Sequence, residues 1–561
     1  MTLLTPLPRT VTRPISFLIL AAWVGVMGML VHRTYVQAAS PNLAIDLARY
    51  GSAAIWRGIY YRGEKIGFTV SQTVPTEEGF ELQEDGRLQM TLLGASSAAT
   101  LHTVARVDRG FALRSFEFSL DPGTGAIEVR GTVEGGVVKS GAAAGGTAEN
   151  GPRLVLAITT RSGTRTDTRE LTDVPVLSLN MSRLLANGRL TPGSTHQLSV
   201  FDPATLQNAP VTIRVGQREI VRANERPVPA FRVEMAYQGL ETTSWVTDTG
   251  EVIREESPLG LMTVQEPAER AQQLAISGRL QADLLQASAV VPVQARRVDE
   301  PRDVRRMVLL LGGADLSGLA LDGVGQVLTG SSLEIRDAQQ IRPGAADPDA
   351  ARSLAAEPLI ESDAPEIRAE TELALRDAGP GARARAERLT RYVNALLEKK
   401  PTVSLPSARE VLRTKVGDCN EHTVLYVAMA RAAGIPARIA VGLVYMHGAF
   451  YYHAWPEVYL AERDGQAYWL PVDPTLNEFP ADGTHVRLAR GGLEQQAKIL
   501  PLINRLTITM VDVELAPNAQ PILIGRPETA LGSLPIVPPV AASSGGCRCT
   551  SSRPSAQEGR R

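Results

Sequence analysis

Residues 417–436 constrain the fold of this chain more than any other segment, because they carry both the start and the stop signals of one short helix. Asp418 is a favourable N-cap residue, and Glu421 follows it at the spacing of a capping box. Residues 424–430 are all apolar, and a glycine and a proline after them end the helix. Since a helix that is apolar on most sides is buried, the sequence predicts a central helix that begins at Cys419.

Cys419 falls in the first turn of that predicted helix. Backbone N–H groups have no helical partner there, and the helix dipole favours negative charge. These conditions lower the pKa of a thiol and supply thiolate near neutral pH. The same N–H groups could stabilise an oxyanion during a reaction. We therefore expect Cys419 to be a functional thiol rather than an inert core residue.

Strands are predicted after the helix, because three segments are rich in aromatic and β-branched residues. His453 lies on the second of these strands, and Asp473 directly follows the third. An Asp-Gly pair marks a hairpin between the second and third strands. The three segments are 437–445, 449–460 and 466–472.

The length of that hairpin loop decides whether His453 and Asp473 share a face of the sheet. A two-residue loop at 464–465 pairs Asp473 with Pro456 and places it on the face opposite to His453. A three-residue loop at 463–465 pairs Asp473 with Trp455, on the His453 face and roughly 7–8 Å from His453 between Cα atoms. We favour the three-residue loop, because a carboxylate can then reach the imidazole.

In this chain order the cysteine, the histidine and the aspartate resemble the Cys-His-Asp triad of the transglutaminase-like superfamily. The resemblance covers residues 408–475, and residues 432–438 are similar to the helix-to-strand junction of that family. It implies that Cys419 is a nucleophile, that His453 is a general base and then an acid, and that Asp473 orients the imidazole. In this family such a triad attacks an amide and forms a thioester, which an amine or water then resolves.

Two other chemical interpretations use the same region. His422 is a rival base, since it lies three residues after Cys419 on the same helix face, but no third group orients it. Cys419, His422, His453 and Asp473 are also all potential zinc ligands, although neither a Cys-x-x-Cys nor a His-Glu-x-x-His motif is present. We therefore predict the catalytic residues Cys419, His453 and Asp473, with no metal and no cofactor.

Length and composition exclude some classes of protein. A chain of 561 residues is expected to form two or three domains. The net charge is −2, which implies no bulk attraction to nucleic acid. The other cysteines, Cys547 and Cys549, lie one residue apart in a polar tail, so the chain has no disulfide framework.

The N-terminus carries a membrane signal. Arg9 and Arg13 precede residues 15–31, which hold no charge and span about 26 Å as a helix, just enough for a hydrocarbon core. We interpret residues 15–32 as an uncleaved transmembrane anchor, with residues 1–14 in the cytoplasm. The alternative is a secretory signal peptide that is cleaved near residue 38. Both interpretations export the bulk of the chain, to the periplasm if the source is bacterial.

The predicted fold class is α+β, with an antiparallel β-rich region between the membrane helix and a transglutaminase-like α+β domain. Residues 50–340 contain many short alternating runs broken by Gly, Asp and Asn, which is typical of a sandwich or an open barrel, formed as one module or as two. Residues 341–364 are predicted to be a linker, residues 365–515 the transglutaminase-like domain, and residues 516–561 a disordered tail.

Two functions follow from this organisation. The first is a membrane-anchored cysteine hydrolase or acyltransferase that acts on amide bonds of a protein or peptide substrate outside the cytoplasm. The second is a non-catalytic interaction protein that uses the transglutaminase-like fold as a scaffold. A complete triad favours the enzyme, whereas the sequence does not distinguish hydrolysis from amine transfer.

Overall fold

The computed structural model describes residues 54–517, with gaps at 93–94, 124, 136–150, 225, 238, 274–282, 294–297, 345, 402–404, 462–465, 493–494 and 496. The predicted membrane segment at 15–32 and nearly all of the predicted tail lie outside the described residues. None of the helices within the described part is long and apolar enough to span a bilayer.

The N-terminal half forms one antiparallel sheet of 14 strands in the described residues. Strands β1 to β8 form one meander and β9 to β14 another, and β1 pairs with β14 to join them. Strands β12 and β13 are joined by a short turn and pair as a hairpin. The strands are β1 Ile55–Tyr61, β2 Glu64–Pro75, β3 Gly79–Leu92, β4 Ala95–Asp108, β5 Leu113–Asp121, β6 Ile127–Glu134, β7 Arg153–Thr160, β8 Gly163–Glu170, β9 Thr195–Asp202, β10 Gln207–Ala223, β11 Arg226–Tyr237, β12 Leu240–Val246, β13 Val252–Glu256 and β14 Leu261–Gln265.

This sheet curls, so that strands from both meanders share one core. Phe116 on β5 and Phe201 on β9 contact each other, with ring centroids 5.5 Å apart. Helix α1, Ser178–Ala186, adds Leu185 to the same core. Side chains alternate between buried and exposed along β5, as expected for a strand with one face on a core. Residues 55–265 therefore form a single continuous sheet around a common core. The strands at 304–336, which the predicted β-rich region 50–340 includes, pair instead with residues 507–515.

Two further sheets of four strands and most of the helices follow in the C-terminal half of the described chain. One sheet has the order β16-β17-β15-β24 and the other the order β22-β21-β20-β23. Their strands are β15 Val304–Gly312, β16 Gln326–Thr329, β17 Ser332–Arg336, β20 Ala437–Met446, β21 Ala449–Ala461, β22 Ala467–Pro471, β23 His485–Arg490 and β24 Thr507–Leu515, and a short parallel pair comprises β18 Glu398–Lys399 and β19 Val416–Gly417. The remaining helices are α2 Ala268–Ala271, α3 Leu284–Ser288, α4 Pro365–Leu375, α5 Ala382–Leu396, α6 Ala408–Thr414 and α7 Cys419–Ala432, with 3-10 turns at Pro301–Asp303, Ala338–Gln340, Ala350–Leu354 and Ala497–Leu502.

Helix α7 is the centre of this half of the molecule. It packs on strands β20 and β21 and is covered by helices α4, α5 and α6. All of its residues from Glu421 to Arg431 are buried. The expectation of a central, buried helix is therefore confirmed. The N-terminal part of this helix contacts strand β21.

The segment predicted to be a linker, residues 341–364, contacts the sheet that carries β22. The Trp469 indole N–H donates to Asp347, with 2.9 Å between the atoms, and the N–H of Asp347 donates to the Tyr459 hydroxyl at 2.6 Å. Ile360 is buried in the same core as helix α7. These contacts attach the segment to the outer edge of the sheet.

The β-rich region touches the helices that lead to Cys419. Arg165, on strand β8, forms an ion pair with Asp363 at 3.0 Å. The Ser162 hydroxyl donates to Glu410 on helix α6, with 3.3 Å between the oxygens. Since α6 immediately precedes the start of α7, the turn between β7 and β8 lies near the entry to the central helix.

Candidate active site

The N-terminus of helix α7 is capped as the sequence predicts. The Asp418 carboxylate accepts the N–H of Asn420 at 3.0 Å, and the Glu421 carboxylate accepts the N–H of Asp418 at 2.9 Å. The Glu421 side chain folds back against Gly417, where a side-chain carbon would lie only 2.2 Å from the Glu421 Cβ atom. The capping box and the glycine together fix the backbone on which Cys419 begins the helix.

The pairing of β21 with β22 follows the register that we favoured. Val458 pairs with Leu470 and Tyr459 with Trp469, and this register, if extended, places Asp473 opposite Trp455. The loop residues 463–465 themselves lie outside the described residues. As a result His453 and Asp473 lie on one face of the sheet.

His453 and Asp473 form a direct hydrogen bond. The Nε2 atom of His453 lies 2.7 Å from the Oδ2 atom of Asp473. Both residues are buried, with 8% of His453 and none of Asp473 exposed. Because Nε2 is occupied by this contact, Nδ1 is the ring nitrogen left to exchange a proton with another group.

Asp473 accepts hydrogen bonds on both of its oxygens. Its Oδ1 atom accepts the N–H groups of Thr475 and Leu476 at 2.7 and 3.0 Å. Its Oδ2 atom contacts His453 and also Nε2 of His485, at 3.2 Å. Burial by itself would raise the pKa of Asp473, but the two histidines outweigh it and hold the pKa well below its usual range. Four hydrogen-bond contacts therefore hold the Asp473 carboxylate in place.

Cys419 lies beside the neighbour of His453. The N–H of Ala454 donates a hydrogen bond to the Cys419 sulfur, and the Thr423 hydroxyl donates to the Ala454 carbonyl oxygen at 3.0 Å. These contacts attach the first turns of α7 to strand β21 at the position next to the histidine. The structure therefore brings Cys419, His453 and Asp473 to one end of the sheet.

The pKa of Cys419 differs from the sequence expectation. Burial raises the pKa of the thiol well above its ordinary value, the charge of Asp418 raises it further, and the Ala454 N–H only partly opposes this. The expectation of a lowered thiol pKa was therefore wrong. Desolvation and the two carboxylates of the capping box disfavour the thiolate.

His422 has a different environment from the one a general base needs. Its Nδ1 atom lies 2.6 Å from the carbonyl oxygen of Asp418, one turn earlier in the same helix. Burial lowers the pKa of His422, and its Nε2 atom has no partner among the described residues. The carboxylate of Asp473 contacts His453 and His485 instead.

His485, the second histidine at Asp473, is not marked by any of the sequence motifs. It lies on strand β23, which pairs with β20 although the paired residues are more than 40 positions apart in sequence. Its Nδ1 atom is 3.1 Å from Oδ1 of Asp482. The only sequence signal was Asp482, three residues before this histidine. That spacing does not reveal that the chain after Asp473 folds back so that His485 reaches the Asp473 carboxylate.

The zinc hypothesis predicts that Cys419, His422, His453 and Asp473 lie around one point. Within the described residues, sets that could hold an ion are His453 with Asp473 and His485, and Glu478 with Asp482 and His485. Neither set contains Cys419 or His422, so the four-residue zinc site considered from the sequence is not formed. The 2.7 Å contact of His453 with Asp473 is also shorter than the separation of about 3.3 Å between two ligands of tetrahedral zinc. We interpret these contacts as hydrogen bonds.

Comparison with known families identifies part of the chain. Residues 372–474 match the family model of the transglutaminase-like superfamily. This range contains helix α7 and all three predicted catalytic residues. No curated protein matches the sequence significantly.

Solved structures show only distant similarity. A candidate cysteine protease from Cytophaga hutchinsonii is 17% identical, with a TM-score of 0.24, and the match covers 42% of this chain and 89% of the other. A β-barrel-like protein of unknown function from Brucella abortus is 14% identical, with a TM-score of 0.27, over 38% of this chain and 95% of the other. At this level of similarity, neither structure adds to the assignment of the site.

Proposed function

We propose that this chain, whose residues 372–474 match the family model of the transglutaminase-like superfamily, is a cysteine enzyme that acts on amide bonds. The observation that carries this proposal is the 2.7 Å hydrogen bond between His453 and Asp473, beside the helix terminus that holds Cys419. An oriented imidazole next to a thiol at a helix N-terminus is the arrangement needed for acyl transfer through a thioester.

The proposed reaction begins with the neutral thiol of Cys419. Because burial raises its pKa, the proton leaves as the sulfur attacks the amide carbonyl, and Nδ1 of His453 accepts it. Asp473 holds Nε2–H of His453 and stabilises the imidazolium that forms. We assign stabilisation of the oxyanion to the backbone N–H of Cys419, at the start of α7.

The second half of the reaction reverses the roles of these groups. His453 returns the proton to the leaving amine as the C–N bond breaks, and the acyl group remains on Cys419 as a thioester. Water or another amine then attacks the thioester while His453 accepts its proton, the C–S bond breaks, and His453 returns that proton to the Cys419 sulfur. Hydrolysis and amine transfer thus use the same residues, and the substrate is a protein or peptide.

We also propose that the enzyme works outside the cytoplasm and is tethered to the membrane by residues 15–32. The support is the uncharged run at 15–31 with two arginines before it. An oxidising compartment is compatible with Cys419, since the other two cysteines are distant in sequence, at positions 547 and 549.

Alkylation by iodoacetamide tests the nucleophile directly. A background variant with Cys547→Ser and Cys549→Ser leaves Cys419 as the only thiol, so that labelling reports one site. We expect labelling at pH 7, its complete loss with Cys419→Ala, and a decrease of about 100-fold or more with His453→Ala, because a general base contributes roughly 10²–10⁴. Circular dichroism of each variant checks that the fold is retained.

Catalysis is measured in parallel on a casein-type protein substrate, by release of peptides and by incorporation of a fluorescent primary amine. Cys419→Ala should abolish whichever activity the parent shows. If Cys419 in the folded parent is unreactive between pH 6 and 9 and Cys419→Ala keeps full activity, the enzyme proposal fails. The scaffold function then remains.

A further inference from the structure

His485 is held at both ring nitrogens by carboxylates. Nε2 lies 3.2 Å from Oδ2 of Asp473, and Nδ1 lies 3.1 Å from Oδ1 of Asp482. The side chain is 5% exposed, and its ring packs edge-on against Trp455 with the centroids 5.1 Å apart. A neutral imidazole has only one N–H donor, whereas these two contacts both require a donor from the ring, since a carboxylate only accepts.

We propose that His485 is a positioning residue of the Cys419 site: a buried imidazolium, clamped between Asp473 and Asp482, that fixes the carboxylate which orients His453. This inference rests on the proposed function, because it concerns the same triad. It adds a residue that lies outside the matched range 372–474 and that has no place in a three-residue mechanism.

The groups that face His485 explain why it carries a charge. Asp473 and Asp482 contact it directly, and Glu478 lies in the same loop, with its own carboxylate bonded to Arg302 at 3.1 Å. Burial by itself would lower the pKa of His485, but these carboxylates outweigh it and raise the pKa well above its usual value.

The other charged groups on this face have partners of their own. Strand β20 lies between β23 and β21, and the residues of β21 on this face are His453 and, further along, Glu457. Glu457 is neutralised by Arg487 at 3.1 Å, together with Arg438 and Arg490. The positive charge of His485 is therefore directed at Asp473 and the two acidic residues of its loop.

This charge has a consequence for the catalytic pair. The rings of His453 and His485 lie 6.0 Å apart. A positive charge at that distance opposes the binding of a further proton by the Cys419–His453 pair, so its removal should move the labelling of Cys419 to higher pH. His485 would thus set the pH at which the site becomes active, in addition to holding Asp473 in place.

The test compares His485→Gln with the parent, both in the background that retains only Cys419, by measuring iodoacetamide labelling between pH 5 and 10. Glutamine keeps a hydrogen-bond donor and removes the charge. The pair then binds protons more tightly, so the midpoint of the labelling profile should move to higher pH. A unit charge about 6 Å away, at an effective dielectric of about 20, corresponds to about 2 pH units, and screening reduces this to about 1–2.

His422→Gln is the matched control. His422 is another buried histidine close to Cys419, and burial lowers its pKa, so its removal takes away no charge at neutral pH. The labelling midpoint of this variant should stay within about 0.3 pH units of the parent, since no local charge changes. A midpoint that is unchanged in folded His485→Gln, or one that moves equally in both variants, overturns the proposal.

A second measurement needs no substitution at the site. In the parent labelled with ¹⁵N-histidine, one of the seven histidines should keep both ring nitrogens protonated up to pH 8. If all seven lose a ring proton below pH 8, His485 is not a permanent imidazolium. This readout does not depend on activity, so failure of this inference is distinguishable from failure of the proposed function, which would appear as an inert Cys419.

Discussion

At the scale of single residues, Asp473 carries the most constraints in the site. It accepts two backbone N–H groups on one oxygen and two histidines on the other. An asparagine has only one acceptor oxygen, so its NH₂ group would face two donors whichever way the amide turns. The site is therefore sensitive to the loss of a single oxygen at this position.

Substitutions at His453 and Asp473 should not be additive. We expect His453→Ala to cost about as much activity as Cys419→Ala, and Asp473→Asn to cost less but still about 100-fold or more, because it removes the orientation of the base rather than the base. Adding Asp473→Asn to His453→Ala should then change the rate only about two- to threefold. The measurement is kcat/KM for the protein substrate in the single and double variants.

His422→Ala provides the comparison for this series. It should lower the rate only a few-fold, because His422 bonds to the carbonyl oxygen of its own helix. If kcat/KM of the double variant falls by the product of the two single-variant losses, His453 and Asp473 act independently. Our assignment of their roles would then be wrong.

At the scale of elements, the start of helix α7 depends on a glycine as much as on its cap. A methyl group on Gly417 would lie 2.2 Å from Cβ and 2.4 Å from Cγ of Glu421, so Glu421 would have to leave the capping box. We expect Gly417→Ala to lower the free energy of unfolding by about 2 kcal/mol, which combines a lost cap with local overpacking. Urea unfolding measures this change, and labelling of Cys419 should slow with it.

Gly381→Ala is the matched control for Gly417→Ala. Gly381 is the N-cap residue of helix α5, and a side-chain carbon there would meet nothing within 4 Å. It should cost less than about 1 kcal/mol, since only the preference for glycine over alanine at the N-cap is lost. Equal costs at the two glycines would mean that the contact with Glu421 does not determine the effect.

At the scale of the whole molecule, the curled sheet and the segment after helix α3 both contact the C-terminal half of the chain. Val290 and Phe450 exchange two backbone hydrogen bonds of 2.8 and 2.9 Å, and Arg165 pairs with Asp363. Phe450 lies on strand β21, three residues before His453. The segment after helix α3 therefore adds backbone bonds to the strand that carries the base.

The proposed location is also a property of the whole chain. We expect the full-length protein to remain in the membrane fraction after a carbonate wash, with residues after about position 38 accessible to protease from outside, because residues 15–31 are uncharged and long enough to span. Deleting residues 1–38 should release the protein. A soluble cytoplasmic protein contradicts the proposal, whereas a soluble exported form beginning near residue 39 favours the cleaved signal.

Local sequence signals determined the features whose partners lie within a few residues or within one hairpin. The capping box needs only Asp418 and Glu421 three positions apart, and the hairpin register needs only the length of one loop. Two registers remained possible from the sequence, and we favoured the one that lets Asp473 reach His453; the structure has this register. The chain order of three residues was enough to indicate the family, although the roles of those residues remain a prediction.

Only the tertiary structure decided the charge on each group of the site. His485 reaches Asp473 through the pairing of β23 with β20, a contact between segments more than 40 residues apart that leaves no periodic signal in the sequence. The pKa of Cys419 depends on how much water the surrounding elements remove, and desolvation here opposes the local effect of the helix terminus. Capping and hairpin geometry depend on residues close in sequence, so the sequence determined the cap and limited the register to two choices. Burial and charge are sums over the whole fold, so only the tertiary structure determined them.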